Sequence, residues 1–207
     1  MTRIEFTVPD GYQRIPIGLS LPEAQDQIEV RLKEAAAPPT TSVKKEMANN
    51  LHAFSRALEL SGTLFAGVYL HGVGDGLDFG ALLVGTHPLS FPDSKTAVMA
   101  ISAAAGQQVG GGITRSVFEL PCGPAVVLAH QELQEISAEF TPTSEPVSVE
   151  MSMFRVIVPI SQKVDNSGEH VAVINLQFLG SQNFQLFSEH LASLMRSFIF
   201  RPDSEES

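Results

Sequence analysis

The chain has 207 residues, of which 43% are hydrophobic and 17% are charged, and its formal net charge is −10. This length suits a single domain, and the apolar fraction is sufficient for a core and too large for a disordered chain. Because the longest basic run is only Lys44-Lys45, the acidic balance argues against binding to nucleic acid or to an anionic membrane surface.

The sequence also indicates a compartment. It contains no uninterrupted apolar stretch of about 18 residues, the length needed to cross a bilayer, and its N-terminal residues lack an apolar run of signal-peptide length. The single cysteine, Cys122, cannot form an internal disulfide, which is typical of a reducing environment. We therefore expect a cytoplasmic protein that forms one domain over residues 1–207.

Residues 20–61 are predicted to form a pair of helices. Ser20 and Glu23 form a capping box at the start of the first helix. Apolar residues then recur at steps of three and four positions, which places them on one helix face. These residues are Leu21, Ala24, Ile28, Leu32 and Ala35.

The second predicted helix begins after Pro38-Pro39, because proline cannot continue the first. Thr41 or Ser42 is expected to cap it, and Gly62 to end it. We expect its apolar stripe to face the core. The stripe consists of Val43, Met47, Leu51, Phe54 and Leu58.

A hairpin and a third helix are predicted next. Residues 63–73 and 77–87 flank the turn Gly74-Asp75-Gly76. Their apolar side chains point to both sides, which is typical of a sheet covered on both faces. Residues 92–106 are predicted to form a helix that is capped by Asp93 or Ser94 and ended by Gly106.

Four further strands and a closing helix complete the predicted elements. Residues 113–120 and 124–133 are strands joined by a Pro121-Cys122-Gly123 turn, and residues 134–148 form an irregular loop. The last hairpin is expected to pair Val156 with Ile174, which places both apolar sets on one face. Asn183 is expected to open the last helix, and residues 201–207 to form an acidic tail. The inward residues of that helix are Phe187, Leu191, Leu194, Met195 and Phe198.

The predicted fold class follows from this element order. Strands joined by short turns must be antiparallel. We therefore predict an α+β fold in which helices cover both faces of an antiparallel sheet of about six strands, an α/β/α sandwich.

Three stretches also resemble the Mog1/PsbP-like fold family: LPCGPAVVL, VIVPI and LFSEHLASLMRSFIF. The resemblance extends over residues 63–200 and includes the Ser197-Phe198 pair near the end of the last helix, which is typical of the group. It implies a non-enzymatic interaction module, since members bind other proteins such as a small GTPase or a photosystem subunit. The helical pair at residues 20–61 is an addition to that pattern, and no partner-binding residue carries over.

The glycine-rich stretch Gly106–Gly112 has the glycine spacing of a phosphate-binding loop. However, Gly112 stands where such a loop needs lysine, and Ile113 follows it. The predicted helix precedes this stretch and the strand follows it, which reverses the order of a phosphate loop. We interpret the stretch as a connection between helix and strand, and we predict no cofactor.

Cys122 is the one candidate nucleophile of its type, and such a residue needs a neighbouring base. His130 is the nearest histidine in the sequence. On an extended strand rising about 3.3 Å per residue, it would lie more than about 20 Å away. We therefore predict a small buried or turn cysteine, and no catalytic residue.

The histidines do not show the paired spacing of a zinc motif. The best local group is His71 with Asp75 and Asp78, but tips of hairpins rich in glycine and aspartate usually only turn. We therefore predict no metal site. The six histidines are His52, His71, His87, His130, His170 and His190.

Polar residues on the strands are expected to make ordinary cross-strand contacts. Arg155 would face Asn175, and Arg115 and Glu119 share one face of their strand. The alternative is a polar pocket beneath a helix. Two further carboxylates, which their spacing keeps apart on a strand, are Glu132 and Glu135.

These observations favour a non-enzymatic protein-interaction module or adaptor with a protein partner. The alternative is a small-ligand-binding protein or an enzyme with a polar pocket near His71, Arg155 or Cys122. A homodimer also stays open, because the early helices could leave an apolar face for a second copy to cover.

Overall fold

The computed structural model describes residues 2–33, 39–73, 76–107, 113–138, 145–160 and 168–202. Within these ranges the chain forms four helices and nine strands, and none of the helices is long and apolar enough to span a bilayer. In chain order the elements are β1 (Thr2–Glu5), β2 (Tyr12–Arg14), α1 (Leu21–Leu32), α2 (Thr41–Leu60), β3 (Thr63–Val73), β4 (Gly76–Phe91), α3 (Ser94–Gln107), β5 (Thr114–Leu120), β6 (Gly123–Ile136), β7 (Val147–Ile160), β8 (Gly168–Leu179), α4 (Phe184–Ser197) and β9 (Ile199–Pro202).

The main sheet has seven strands in the order β2-β3-β4-β8-β7-β6-β5, and all its neighbours are antiparallel. The α+β prediction is confirmed, although the expected number of about six strands is too low. β2 has only three residues, and β1 pairs with β9 in a separate ribbon that joins Thr2 to Pro202. Strands this short and this distant along the chain leave no periodic signal in the sequence.

Helices cover both faces of the sheet, as predicted. On one face, Phe187, Leu191 and Leu194 of α4 belong to the main core. On the other, Ala97 of α3 packs with Phe91, Val171 and Val173. The alternation of side chains along a strand explains this division, since Ala172 and Ile174 of the same strand belong to the main core. We call the two sides the α4 face and the α3 face.

The register of the last hairpin is also as predicted, with Val156 opposite Ile174. Both side chains are fully buried in the main core. The five apolar residues predicted to line the inner side of α4 are buried as well. Asn183 precedes α4, but its side-chain amide donates to the Leu179 carbonyl oxygen at 3.2 Å and does not cap the helix.

The helical pair begins as predicted and then departs from the prediction in one respect. The capping box of Ser20 and Glu23 is present at the start of α1. The cap of α2 is Thr40, whose hydroxyl accepts from the Val43 amide at 3.5 Å, so the prediction of Thr41 or Ser42 is wrong by one or two positions. The chain turns into the helix one residue earlier than the apolar pattern indicates.

The predicted inward stripe of α2 is only partly correct. Leu58 is buried, but the side chains of Val43, Met47 and Phe54 are exposed. The helix instead turns Ser55 inward, where its hydroxyl accepts from the Leu19 amide at 2.6 Å. The Leu19 carbonyl in turn accepts from His52 Nδ1 at 2.7 Å. Two polar side chains therefore hold the segment before α1 by bonding to its partly buried backbone groups, which need hydrogen-bond partners.

The remaining boundaries differ slightly from expectation. Asp93 caps α3 by accepting from the Thr96 amide at 2.8 Å, and the helix ends at Gln107, one residue beyond Gly106. β6 extends to Ile136 and β7 begins at Val147, so both strands enter the predicted irregular loop. At the C-terminus, residues 201–202 belong to β9 and not to a tail. Residues 203–207 lie outside the described ranges.

Candidate functional site

Cys122 and His130 lie far apart, as predicted. Cys122 is in the turn between β5 and β6, partly buried against the main core. His130 is the eighth residue of β6 and faces Met153. Burial raises the pKa of the Cys122 thiol to about 11, so the thiol is protonated at neutral pH. These two residues do not form a nucleophile and base.

The acid and imidazole group at the hairpin tip is only partly within the described residues. His71 faces Asp78 across β3 and β4, one position from the expected partner. Asp75 lies outside the described ranges. Across the described part of the chain, no group of three His, Cys, Asp or Glu side chains is arranged to hold a metal ion. Residues 108–112 of the glycine-rich stretch also lie outside the described ranges.

Of the polar groups predicted on the strands, Arg155 and Asn175 form the expected cross-strand contact, whereas Arg115 bonds to a carbonyl of α3. Arg155 Nε donates to Asn175 Oδ1 at 2.8 Å, and both residues lie on the α3 face. Arg115 and Glu119 share that face of β5, where Arg115 Nη1 donates to the Ser102 carbonyl oxygen of α3 at 2.9 Å. The two carboxylates Glu132 and Glu135 face Met151 and Ser148, and the strand alternation places them on opposite sides of the sheet.

A cavity of about 390 Å³ lies on the α4 face, between the start of α4 and the strands β5, β6 and β7. We call it the α4 groove. The side chains of most lining residues lie on the α4 face, because residues paired in neighbouring strands point to the same side of the sheet. The lining residues are Thr114, Ala129, His130, Gln131, Ser152, Met153, Phe154, Phe178 and Phe184.

Aromatic rings form one wall of the α4 groove. Phe154 and Phe178 are buried in the sheet, with ring centroids 5.5 Å apart. Phe184, the first residue of α4, places its ring 5.1 Å from that of Phe154 and keeps 45% of its surface exposed. An exposed aromatic side chain over two buried ones makes an apolar surface that solvent can reach.

Two polar side chains form the floor beside this wall. Gln131 Nε2 donates to Ser152 Oγ at 3.3 Å across β6 and β7. The Ser152 hydroxyl is almost fully buried and lies 3.5 Å from the Gly180 carbonyl oxygen, to which it donates. The Gln131 residue itself is exposed, so its amide can bond to a group that enters the groove.

The opposite end of the α4 face is closed by a second aromatic cluster that the sequence analysis did not identify. Tyr12, Tyr69, Phe187 and His190 pack with ring centroids 5.2 to 5.7 Å apart. Burial lowers the pKa of His190 and, together with Tyr69, raises that of Tyr12. Tyr12 Oη and His190 Nδ1 are buried and have no hydrogen-bond partner among the described residues.

The residues of the site that were not predicted from the sequence differ in the sequence signals that they carry. Phe184 lies one helical turn before Phe187, so it extends the apolar stripe of α4 and could have been identified from spacing. Gln131 and Ser152 meet only through the register of β6 and β7, which pairs strands separated by a long connection. Tyr12 reaches the sheet through β2, whose three residues have no pattern of their own.

No family model matches the chain, and no curated protein matches it. Among solved structures, the chain is similar to LpqN, described as involved in cell envelope biogenesis of Mycobacterium tuberculosis. That similarity covers 98% of this chain and 85% of the other, with 12% sequence identity and a TM-score of 0.45. No residue role is transferred from it.

Proposed function

We propose that this protein is a non-enzymatic interaction module and that the α4 groove receives an apolar side chain or short apolar segment of a partner protein. The observation that supports this most directly is Phe184. It begins α4 and stands half exposed above the buried rings of Phe154 and Phe178. Exposed aromatic residues beside a pocket are typical anchors of protein interfaces.

The chemistry of the lining supports binding more than catalysis. The described residues around the groove present aromatic rings, two hydroxyls and an amide, and none of these residues is Asp, Glu, Lys or Cys. Among the lining residues that the structure describes, His130 alone has a titratable side chain, and strand alternation directs that side chain toward the α3 face. General acid–base catalysis needs a positioned titratable group, so we favour a binding role.

An exposed apolar residue lies beyond the groove on the same face. Leu133 follows Gln131 by two positions on β6 and is 77% exposed. A partner segment that enters the groove would also cover Leu133, which adds apolar contact area to the interaction.

A second candidate function is binding of a small apolar ligand at the same place, because the cavity volume of about 390 Å³ falls in the range of small-molecule sites. The expected alternative sites near His71, Arg155 and Cys122 have less support. His71 is exposed, and Arg155 is already bonded to Asn175. The raised pKa of Cys122 does not favour a thiolate.

We also propose membership of the Mog1/PsbP-like fold family and a cytoplasmic location. The order of the elements from β3 to α4 supports the first, and the single cysteine supports the second. Cell fractionation can test the location, and a protein partner that is itself cytoplasmic would give it independent support.

The test compares two half-exposed phenylalanines by affinity purification and quantitative mass spectrometry. Phe184→Asp places a charge in the groove, and aspartate is well tolerated at the first position of a helix. Phe54→Asp is the matched control, because Phe54 is 50% exposed on α2. We expect a stoichiometric protein partner that is retained by the wild type and by Phe54→Asp and lost with Phe184→Asp.

Two results would contradict the proposal. One is a partner retained equally by both variants, which would place the interface elsewhere. The other is a small molecule that native mass spectrometry finds bound to the wild type and absent from Phe184→Asp, with no protein partner. That second result would favour the small-ligand function.

A further inference from the structure

The two edges of the main sheet differ in length and in protection. β2 forms one edge with only three residues. β5 forms the other with seven residues and, among the described strands, pairs only with β6. All residues from Thr114 to Glu119 are exposed, including Val117 at 53% and Phe118 at 47%. A long edge strand with exposed apolar residues is a template for pairing with another strand.

The charges on β5 are arranged symmetrically about its centre. Arg115 and Glu119 each lie two residues from Val117, on opposite sides of it. When two copies of β5 pair antiparallel about a two-fold axis through Val117, Arg115 of each copy lies directly opposite Glu119 of the other. Directly opposed residues of unlike charge stabilise antiparallel pairs, and a two-fold interface makes this contact twice.

Other centres of pairing lose this complementarity. A two-fold axis through Ser116 would place Arg115 opposite Val117, and an axis through Phe118 would place it opposite Pro121. Both would leave all four charges without a partner across the interface. The charges therefore select one register out of those that the edge strand allows.

The side chains on each face fit the same register. Arg115, Val117 and Glu119 lie on the α3 face and Phe118 on the α4 face. With Val117 at the centre, the two Phe118 rings become diagonal neighbours, a separation that aromatic side chains can bridge. Arg115 uses one donor on the Ser102 carbonyl and keeps others for a carboxylate. The Glu119 carboxylate forms no hydrogen bond or ion pair to another side chain within the described residues.

We propose that two copies of this chain pair through β5 about Val117, so that their seven-stranded sheets become one continuous sheet. Because the two-fold axis is perpendicular to the sheet, both α4 grooves lie on the same side of the dimer. The strand that pairs with this edge is thus β5 of a second copy of the chain. The inference rests on the β5 edge alone and not on the proposed function of the groove.

The test uses charge reversal and analytical ultracentrifugation of the full chain. The wild type should be a dimer. Arg115→Glu and Glu119→Arg should each weaken dimerisation by roughly tenfold or more, since each change creates two like-charge pairs by symmetry. An equimolar mixture of these two variants should recover a dimer that contains one copy of each, because positions 115 and 119 are both negative in one variant and both positive in the other, so both opposed pairs are of unlike charge. The double variant Arg115→Glu/Glu119→Arg should recover it too.

Arg56→Glu is the control, since Arg56 is an exposed arginine on α2. It should leave the dimer unchanged. A monomeric wild type would overturn the proposal, as would a dimer that both single variants leave intact, or a double variant that stays monomeric. None of these variants alters the α4 groove lining, so partner binding through Phe184 can be scored separately.

Discussion

The two ends of the α4 face differ in how far the aromatic side chains of α4 are exposed to solvent. At the end formed by β2 and β3, Phe187 is fully buried and packs against Tyr69 and His190. At the end formed by β5 and β6, Phe184 on the same helix is half exposed above the α4 groove. One helix thus stabilises the fold with one aromatic residue and leaves another accessible. The closed end serves stability, and the open end carries the surfaces that we assign to binding and to dimerisation.

The largest expected difference between the two ends is in the free energy of unfolding that is lost when one aromatic ring is removed from each. Phe187→Ala should lower the free energy of unfolding by about 3–5 kcal/mol, because it leaves a cavity in a fully buried cluster. Phe184→Ala should lower it by only about 1 kcal/mol, since it loses ring contacts at a half-exposed site. Urea denaturation of both variants measures the two values. Equal losses would show that the groove wall is part of the stabilising core.

A smaller effect is expected from two glycines of the first hairpin. A Cβ at Gly80 would overlap the Phe187 ring, whereas a Cβ at Gly72 would meet no atom within 4 Å. Gly80→Ala should therefore destabilise the protein by about 1–3 kcal/mol, as overpacking of a core does. Gly72→Ala should change stability by no more than about 1 kcal/mol. Thermal unfolding would contradict this account if the two variants had the same midpoint.

The smallest effect is a pH dependence at the closed end. Burial lowers the pKa of His190 in the folded protein, although neighbouring Glu189 opposes this. An unfolded histidine has a pKa of about 6.5. Below that pH the unfolded chain binds the proton first, so the contribution of His190 to stability is present above about pH 6.5 and declines as the pH falls through the lowered folded value.

We therefore expect the wild type to lose more stability between about pH 8 and about pH 5 than His190→Gln, which cannot take up this proton. Urea titrations of the two proteins at several pH values give the difference directly. The expected curves separate only below about pH 6.5. If they stayed parallel over the whole range, His190 would not be linked to folding through protonation.

How much the sequence predicts depends on how local each signal is. The capping box at Ser20 and the hairpin register at Val156 each follow from residues close together in the chain, and both are confirmed. The pairing of β1 with β9 and the meeting of Gln131 with Ser152 depend on tertiary closure. The orientation of α2 could be predicted only in part. Its apolar stripe favours one inner face, but the helix also has to turn side chains inward that bond to the backbone of Leu19.

The ribbon of β1 and β9 has a consequence for the order in which the chain can fold. Ile4 and Phe6 pack against the main core, and the Ser197 hydroxyl accepts from the Thr7 amide at 2.9 Å. During synthesis, residues 2–5 are made long before their partner strand, residues 199–202. β1 can therefore pair with β9 only after almost all of the described residues have been made, and until then its apolar side chains can bind chaperones or contribute to misfolding.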